Sequence, residues 1–133
     1  MDVKQYDVVT AAEDGATLTL RDPVSGEALD ATITLVGSDS ERYRQAQSEE
    51  QSKLLKRKQS GERLDAEEWR EQACRILARA TISWENVEEG GQTLDCSEAN
   101  ARHIYRAYPW VREQVDAFVA QRANFLATSP SDS

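Results

Sequence analysis

The sequence has no apolar run approaching the roughly 18 residues that a membrane-spanning helix needs. Its first residues, Met1-Asp2-Val3-Lys4, also lack the apolar segment of a secretory signal. We therefore expect a protein of the cytoplasm that neither enters nor crosses a membrane.

Residue types that build active sites and metal centres are scarce. His103 is the only histidine, and the sequence offers no glycine-rich phosphate loop and no metal-ligand spacing. Cys74 and Cys96 lack both a CxxC spacing and neighbouring histidines, so we expect two reduced thiols. The sequence predicts no catalytic residue, no metal and no cofactor, and it favours a binding or assembly protein over an enzyme.

Basic residues are outnumbered, since 24 acidic side chains face 16 basic ones and the formal net charge is -8. Phosphate contacts need clustered lysine and arginine, and the chain has one such run, at residues 53–58. Glu49 and Glu50 precede this run, and Glu49 can pair with Lys53 one helical turn later. We therefore expect a solvated helix face there and no nucleic-acid partner.

Period-two patterns mark the first part of the chain. Leucines and threonines alternate over residues 16–21, and Ile33 and Leu35 alternate with polar residues over 31–36. Proline and glycine in the intervening segment 22–26 predict a tight turn and thus an antiparallel hairpin. Residues 6–9 are predicted to add a third strand, because two strands alone are marginally stable in water.

Helical patterns fill the rest of the chain. Ser38 and Glu41 have the spacing of a capping box, and a helix is predicted from there to Gln59. Its apolar residues are sparse, so we expect this helix to project, to fray or to wait for a partner. Asp65 and Glu68 form a second capping box that opens a core helix ending near residue 81.

Two further helices are predicted after an extended, turn-rich connector at residues 81–91. Ser97 is the expected N-cap of one helix, and Pro109 is expected at the first position of an amphipathic helix that runs on to Leu126. The predicted fold is α+β, with an N-terminal antiparallel β-meander of two or three strands followed by about four helices. The predicted units are a meander lobe at 1–37, a helical lobe at 38–126 packed with it, and a disordered tail at 127–133.

Exposed apolar and aromatic residues on the helices are the candidate partner-binding residues. Six are predicted: Tyr43, Leu54, Leu55, Trp110, Val111 and Phe118. The adjacent leucines cannot both lie on one narrow stripe, so either one of them faces a partner or both contact this chain's own helices. Trp69 and Trp84 are expected in the core, whereas Trp110 fits the core and a partner contact equally well.

The order and spacing of several residues over about 16–126 resemble tail assembly chaperones of long-tailed bacteriophages and prophages. In the first half these residues are Asp22-Pro23-x-Ser25-Gly26 and Ile33-x-Leu35-x-Gly37-x-Asp39-Ser40-x-x-Tyr43-Arg44. In the second half they are Ile82-x-Trp84, Gly90-Gly91, Tyr108-Pro109 and Asn124-Phe125. Segment 94–97 departs from the resemblance, because similar proteins often carry a more apolar or proline-bearing stretch there.

The resemblance implies a non-enzymatic protein that binds the helical tape measure protein and keeps it soluble until tail-tube subunits polymerise around it. Such a protein acts in the bacterial cytoplasm and is absent from the finished virion. The tail tube protein and a second copy of the chain are further partners that this hypothesis allows. Two alternatives remain at this stage: a structural or completion component of the phage tail, and a small enzyme or regulator.

Overall fold

The computed structural model describes residues 1–126 and has an α+β fold. Within that range a short 3-10 helix, Val3–Tyr6, precedes six α-helices and five strands. The helices are α1 (Val8–Asp14), α2 (Glu41–Gln59), α3 (Ala66–Ala80), α4 (Glu98–Ala107), α5 (Pro109–Ala120) and α6 (Ala123–Leu126). The strands are β1 (Ala16–Arg21), β2 (Ala28–Leu35), β3 (Thr81–Glu85), β4 (Glu88–Glu89) and β5 (Gln92–Thr93). The predicted tail at 127–133 lies outside the described residues.

The main sheet is antiparallel with the strand order β1-β2-β3. The predicted hairpin of β1 and β2 is confirmed, with Leu18 opposite Ile33. Its turn is stabilised by an Asp22 carboxylate oxygen, which accepts hydrogen bonds from the backbone amides of Val24 at 2.8 Å and Ser25 at 2.9 Å. Such local bonds let Asp and Ser specify a turn without help from the rest of the fold.

The third strand of this sheet was predicted in the wrong place. Residues 6–9 were expected as a strand, but α1 starts at Val8, and the Asp7 carboxylate caps it by accepting from the Thr10 amide at 3.0 Å. The third strand is β3, which follows α3 directly and places Trp84 opposite Ile33 of β2. The predicted lobes at 1–37 and 38–126 therefore share one sheet.

Helix α2 lies along α3 and does not project or fray. The two helices run antiparallel, as shown by ion pairs of Glu49 with Arg79, Glu50 with Arg75 and Arg57 with Glu68. The N-cap of α2 is Ser40, two residues later than the predicted Ser38, and its hydroxyl accepts from the Tyr43 amide at 3.1 Å. Arginine–carboxylate pairs hold α2 against α3, because α2 has few apolar residues to pack there.

The predicted starts of α3, α4 and α5 are confirmed. Asp65 caps α3, Ser97 caps α4, and Pro109 occupies the first turn of α5. Helix α5 ends at Ala120, short of the predicted Leu126, and the chain turns into α6. The turn brings the ring of Phe125 edge-on to that of Phe118, with centroids 5.6 Å apart.

One hydrophobic core is shared by the sheet and by helices α3, α4 and α5. Its most deeply buried large side chains include Ile33, Leu35, Leu77, Tyr105 and Val115. The Tyr105 hydroxyl lies 2.7 Å from the Thr81 hydroxyl, which itself donates to the Leu77 carbonyl at 2.9 Å. Burial raises the pKa of Tyr105 well above its ordinary value, so the phenol stays protonated.

Gly37 marks the close approach of three segments. An added Cβ would lie 2.9 Å from the Ala12 Cβ of α1 and 3.0 Å from the Phe125 ring of α6. The Gly37 amide also donates to the Ala12 carbonyl at 2.9 Å. Glycine is required here for space, because both neighbours are held by their own helices.

Candidate partner-binding surfaces

The six predicted partner-binding residues divide between α2 and α5 and do not form one surface. Leu54 and Val111 are buried, with exposed fractions of 3% and 4%, so little of either side chain is accessible to a partner in this fold. Tyr43, Trp110 and Phe118 are partly buried and pack against the same core. Leu55 is 56% exposed, and it is the one member of the set that presents a largely open apolar side chain.

Leu55 borders a groove between the distal ends of α2 and α3, which we call the tip groove. The cavity has a volume of about 280 Å³ and is lined by Gln51, Leu54, Leu55, Lys58, Leu64, Trp69 and Gln72. The α2 residues follow the i, i+3, i+4, i+7 spacing of one helix face, and the two α3 residues are three positions apart. Antiparallel packing brings these two faces together, and Leu64 lies in the connection between them.

The tip groove exposes two large apolar side chains side by side on facing helices. Trp69, which the sequence assigned to the core, is 50% exposed, close to the value for Leu55. The core contacts of α3 begin further along the helix, near Cys74, where α4 and the sheet cover it. Exposed apolar area of this kind has an unfavourable free energy of roughly 25 cal/mol per Å², and a cluster of it is typical of an interaction site.

Gln72 places an unpaired polar group at the floor of the groove. The residue is only 9% exposed, and its side-chain nitrogen Nε2 has no hydrogen-bond acceptor among the described residues. A buried donor without an acceptor costs on the order of 1–3 kcal/mol, and most buried donors in folded proteins are satisfied. The sequence did not point to Gln72, because a glutamine within an amphipathic helix gives no sign of burial.

Electrostatics at the tip differ from those of the chain as a whole. Arg57 donates to Glu62 at 3.0 Å and to Glu68 at 2.7 Å, and its hydrogen bonds lower the pKa of Glu68. Lys56, Lys58 and Arg63 have no ion pair among residues 1–126. Of these three, Lys58 lines the groove.

A second concavity lies beside Trp110 and has a volume of about 420 Å³. Its lining includes Ile33 and Val111 from the core, Tyr108 and Trp110 as partly exposed aromatics, and Glu89 at the edge. Its wall includes the β4–β5 hairpin, whose turn residues Gly90 and Gly91 have φ values of 60° and 82°. This is the sequence pattern and geometry of a tight two-residue hairpin turn.

Glu89 holds its edge of the Trp110 concavity in place. Its carboxylate accepts from the Tyr108 hydroxyl at 2.6 Å and lies 3.0 Å from Nε2 of His103. The bond from Tyr108, followed by that from His103, lowers the pKa of Glu89. The single histidine therefore belongs to a surface hydrogen-bond network.

No metal centre is present among residues 1–126, where no group of three or more His, Cys, Asp or Glu side chains converges. Cys74 is buried and Cys96 partly buried, and neither forms a disulfide. No helix in this part of the chain is both long and apolar enough to span a bilayer. Comparison with protein-family models, with curated proteins and with solved structures gave no match to this chain.

Proposed function

We propose that this chain is a tail assembly chaperone of a long-tailed bacteriophage or prophage. It binds the tape measure protein in the bacterial cytoplasm and keeps it soluble while the tail is assembled, without catalysing a reaction. The proposal starts from the resemblance over residues 16–126. The structural observation that supports it is the tip groove, where Leu55 and Trp69 expose apolar surface beside Gln72, whose buried side-chain nitrogen has no hydrogen-bond acceptor among residues 1–126.

Two properties of the chain, its exposed apolar groove and its net negative charge, suit this role. A carrier for a long apolar helical client needs apolar surface that can pack against helices. It also needs a body that keeps the complex in solution, and a net charge of -8 favours solubility. Many copies bound along one client add avidity, so each groove can be short and individually weak.

The test is co-expression with the longest predicted helical protein of the same gene neighbourhood, scored by soluble yield and by co-purification. We expect the client to become soluble and to elute together with this chain. Leu55→Asp should reduce both, because it places a charge on the apolar rim. Val24→Asp is the matched control, since Val24 is almost fully exposed on the β1–β2 turn, away from the groove.

A folded chain that leaves the client insoluble and forms no complex would contradict the proposal. Purified particles supply a second test, since a chaperone should be absent from them. Recovery of the chain in stoichiometric amounts from assembled tails would instead indicate a structural component.

A further inference from the structure

We infer that the tip groove receives one amphipathic helix of the partner, and that the contact face of this helix carries an acidic residue among its apolar ones. The inference deepens the proposed function and rests on it only in taking that helix to be part of the client. The shape of the groove supports this assignment. A groove between two antiparallel helices accommodates a third helix along its length.

The length of the groove limits how much of the partner it can hold. On α2 the lining runs from Gln51 to Lys58, which is about two helical turns, or roughly 10 Å. A partner helix therefore contributes two or three apolar side chains at i and i+3 or i+4, packed between Leu55 and Trp69. A contact of this size is weak as a single copy.

Gln72 specifies a polar group within that apolar contact. Gln72 lines the groove, and its buried Nε2 lacks an acceptor among residues 1–126. A rotation of this side chain toward an oxygen brought by a partner satisfies a donor that the folded chain leaves unpaired. A carboxylate is a stronger acceptor than a neutral carbonyl, and the backbone carbonyls of a helical partner are already used within the helix. An aspartate or glutamate side chain is thus the group that fits.

The charge around the groove favours the same group. Residues 53–63 contain five basic side chains and one acidic one, in a chain whose net charge is -8. Arg57 is occupied by Glu62 and Glu68, whereas Lys58 lines the groove without an ion pair in the described part of the chain. Complementary charge at the rim of an interface steers association and excludes partners of the wrong sign.

The binding test uses two synthetic, end-blocked helices of about 14 residues, or roughly four turns. Both carry leucines at i, i+3, i+4 and i+7 and no aromatic residue, and they differ in having glutamate or lysine at the flanking positions. Binding is followed by the fluorescence of Trp69, with Trp69→Phe used to show that the signal arises in the groove. We expect the acidic peptide to bind about tenfold more tightly than the basic one, a difference of about 1.4 kcal/mol.

Two variants locate the preference. Gln72→Leu keeps the size of the side chain but removes the donor, and it should weaken the acidic peptide by about tenfold while leaving the basic one unchanged. Lys58→Glu should reduce or reverse the preference between the peptides. Val24→Ser, on the distant β1–β2 turn, should leave both affinities unchanged. Equal binding of the two peptides, or acidic-peptide binding that survives Gln72→Leu, overturns the inference.

Three further outcomes separate this inference from its alternatives. If light scattering shows a wild-type dimer that Leu55→Asp converts to a monomer, the occupant is a second copy and the inference is wrong. If the client is solubilised equally well by wild type, Gln72→Leu and Leu55→Asp, the chaperone function holds and the groove assignment fails. If the acidic peptide binds as expected but the client stays insoluble, the groove assignment holds and the proposed function fails.

Discussion

Removing the guanidinium of Arg75 should cost several times more stability than removing that of Arg79. Both arginines lie on α3 and pair with neighbouring glutamates of α2, at 2.7 Å for Glu50 and 2.8 Å for Glu49. The two pairs differ in depth, because the Glu50 side chain is 3% exposed and that of Glu49 is 47% exposed. They form a matched comparison of the same interaction in two environments.

The expected magnitudes follow from that depth. Arg75→Met leaves a buried carboxylate without its main partner, which typically costs about 3–5 kcal/mol. Lys53 reaches the same carboxylate at 3.5 Å but is itself largely exposed, so we expect a value near the lower end, about 3 kcal/mol. Arg79→Met breaks an exposed pair and should cost about 0.2–1 kcal/mol.

Urea unfolding followed by far-ultraviolet circular dichroism measures both variants. With a slope near 2 kcal/mol per M, the midpoint should fall by about 1.5 M for Arg75→Met and by less than about 0.5 M for Arg79→Met. The double variant Glu50→Gln/Arg75→Met should recover part of the loss, because it removes the unpaired charge as well. Equal midpoints for the two single variants, or no recovery in the double, would refute this reasoning.

Three further predictions concern packing, pH and thiol access. Gly37→Ala should lower stability by about 1–3 kcal/mol, since its methyl group overlaps α1 and α6, and an unchanged thermal midpoint would contradict this. The hydrogen bond from Arg122 holds the pKa of Asp39 below its ordinary value, so Asp39 adds stability that is lost as the pH falls through its folded-state pKa. Arg122→Ala should therefore raise that pKa in an NMR titration and flatten the loss of stability below about pH 4, and an unmoved pKa would count against the pair. A thiol reagent should modify the partly buried Cys96 in the native protein and the buried Cys74 only after unfolding. Cys96→Ser should therefore remove the fast phase of the modification reaction, and persistence of that phase would show that Cys74 is accessible.

The sequence predicted those elements whose signals lie within a few residues. Asp65 and Ser97 each cap a helix by accepting the backbone amide three positions on, so the cap and the helix start are read together. Pro109 marks the start of α5 because it lacks an amide hydrogen. The β1–β2 hairpin was likewise predictable from alternation and from its Asp-Pro turn.

The third strand could not be found in this way, because its evidence lies elsewhere in the chain. Two adjacent valines at residues 8 and 9 favour a strand. The Asp7 carboxylate instead accepts a hydrogen bond from the Thr10 amide and caps a helix, so the segment becomes helical. Thr81–Glu85 follows α3 without a break in sequence, and only pairing with β2 makes it a strand. Local propensity is a weak guide wherever such pairing decides the outcome.

The candidate site was predicted in part. For the adjacent leucines of the polar helix α2, the sequence allowed either a partner contact by one of them or contacts of both with the chain's own helices. In the structure Leu54 is buried and Leu55 is exposed. Trp69 and Gln72 were not predicted, because the tip groove exists only where α2 packs against α3. A pattern taken along one helix cannot show which residues of another helix lie beside it.

The α2–α3 hairpin also has a consequence for the order of folding. Leu35 and Thr81 pair in adjacent strands, and the whole of α2 and α3 lies between them in the chain. Closing a flexible loop of that length is slow, because the chain loses conformational entropy before any stabilising contact forms. A helical hairpin forms from contacts between residues nearer in sequence, and it brings its own two ends together. The α2–α3 hairpin is therefore expected to form before β3 joins the sheet, so that slowing its formation delays the sheet as well.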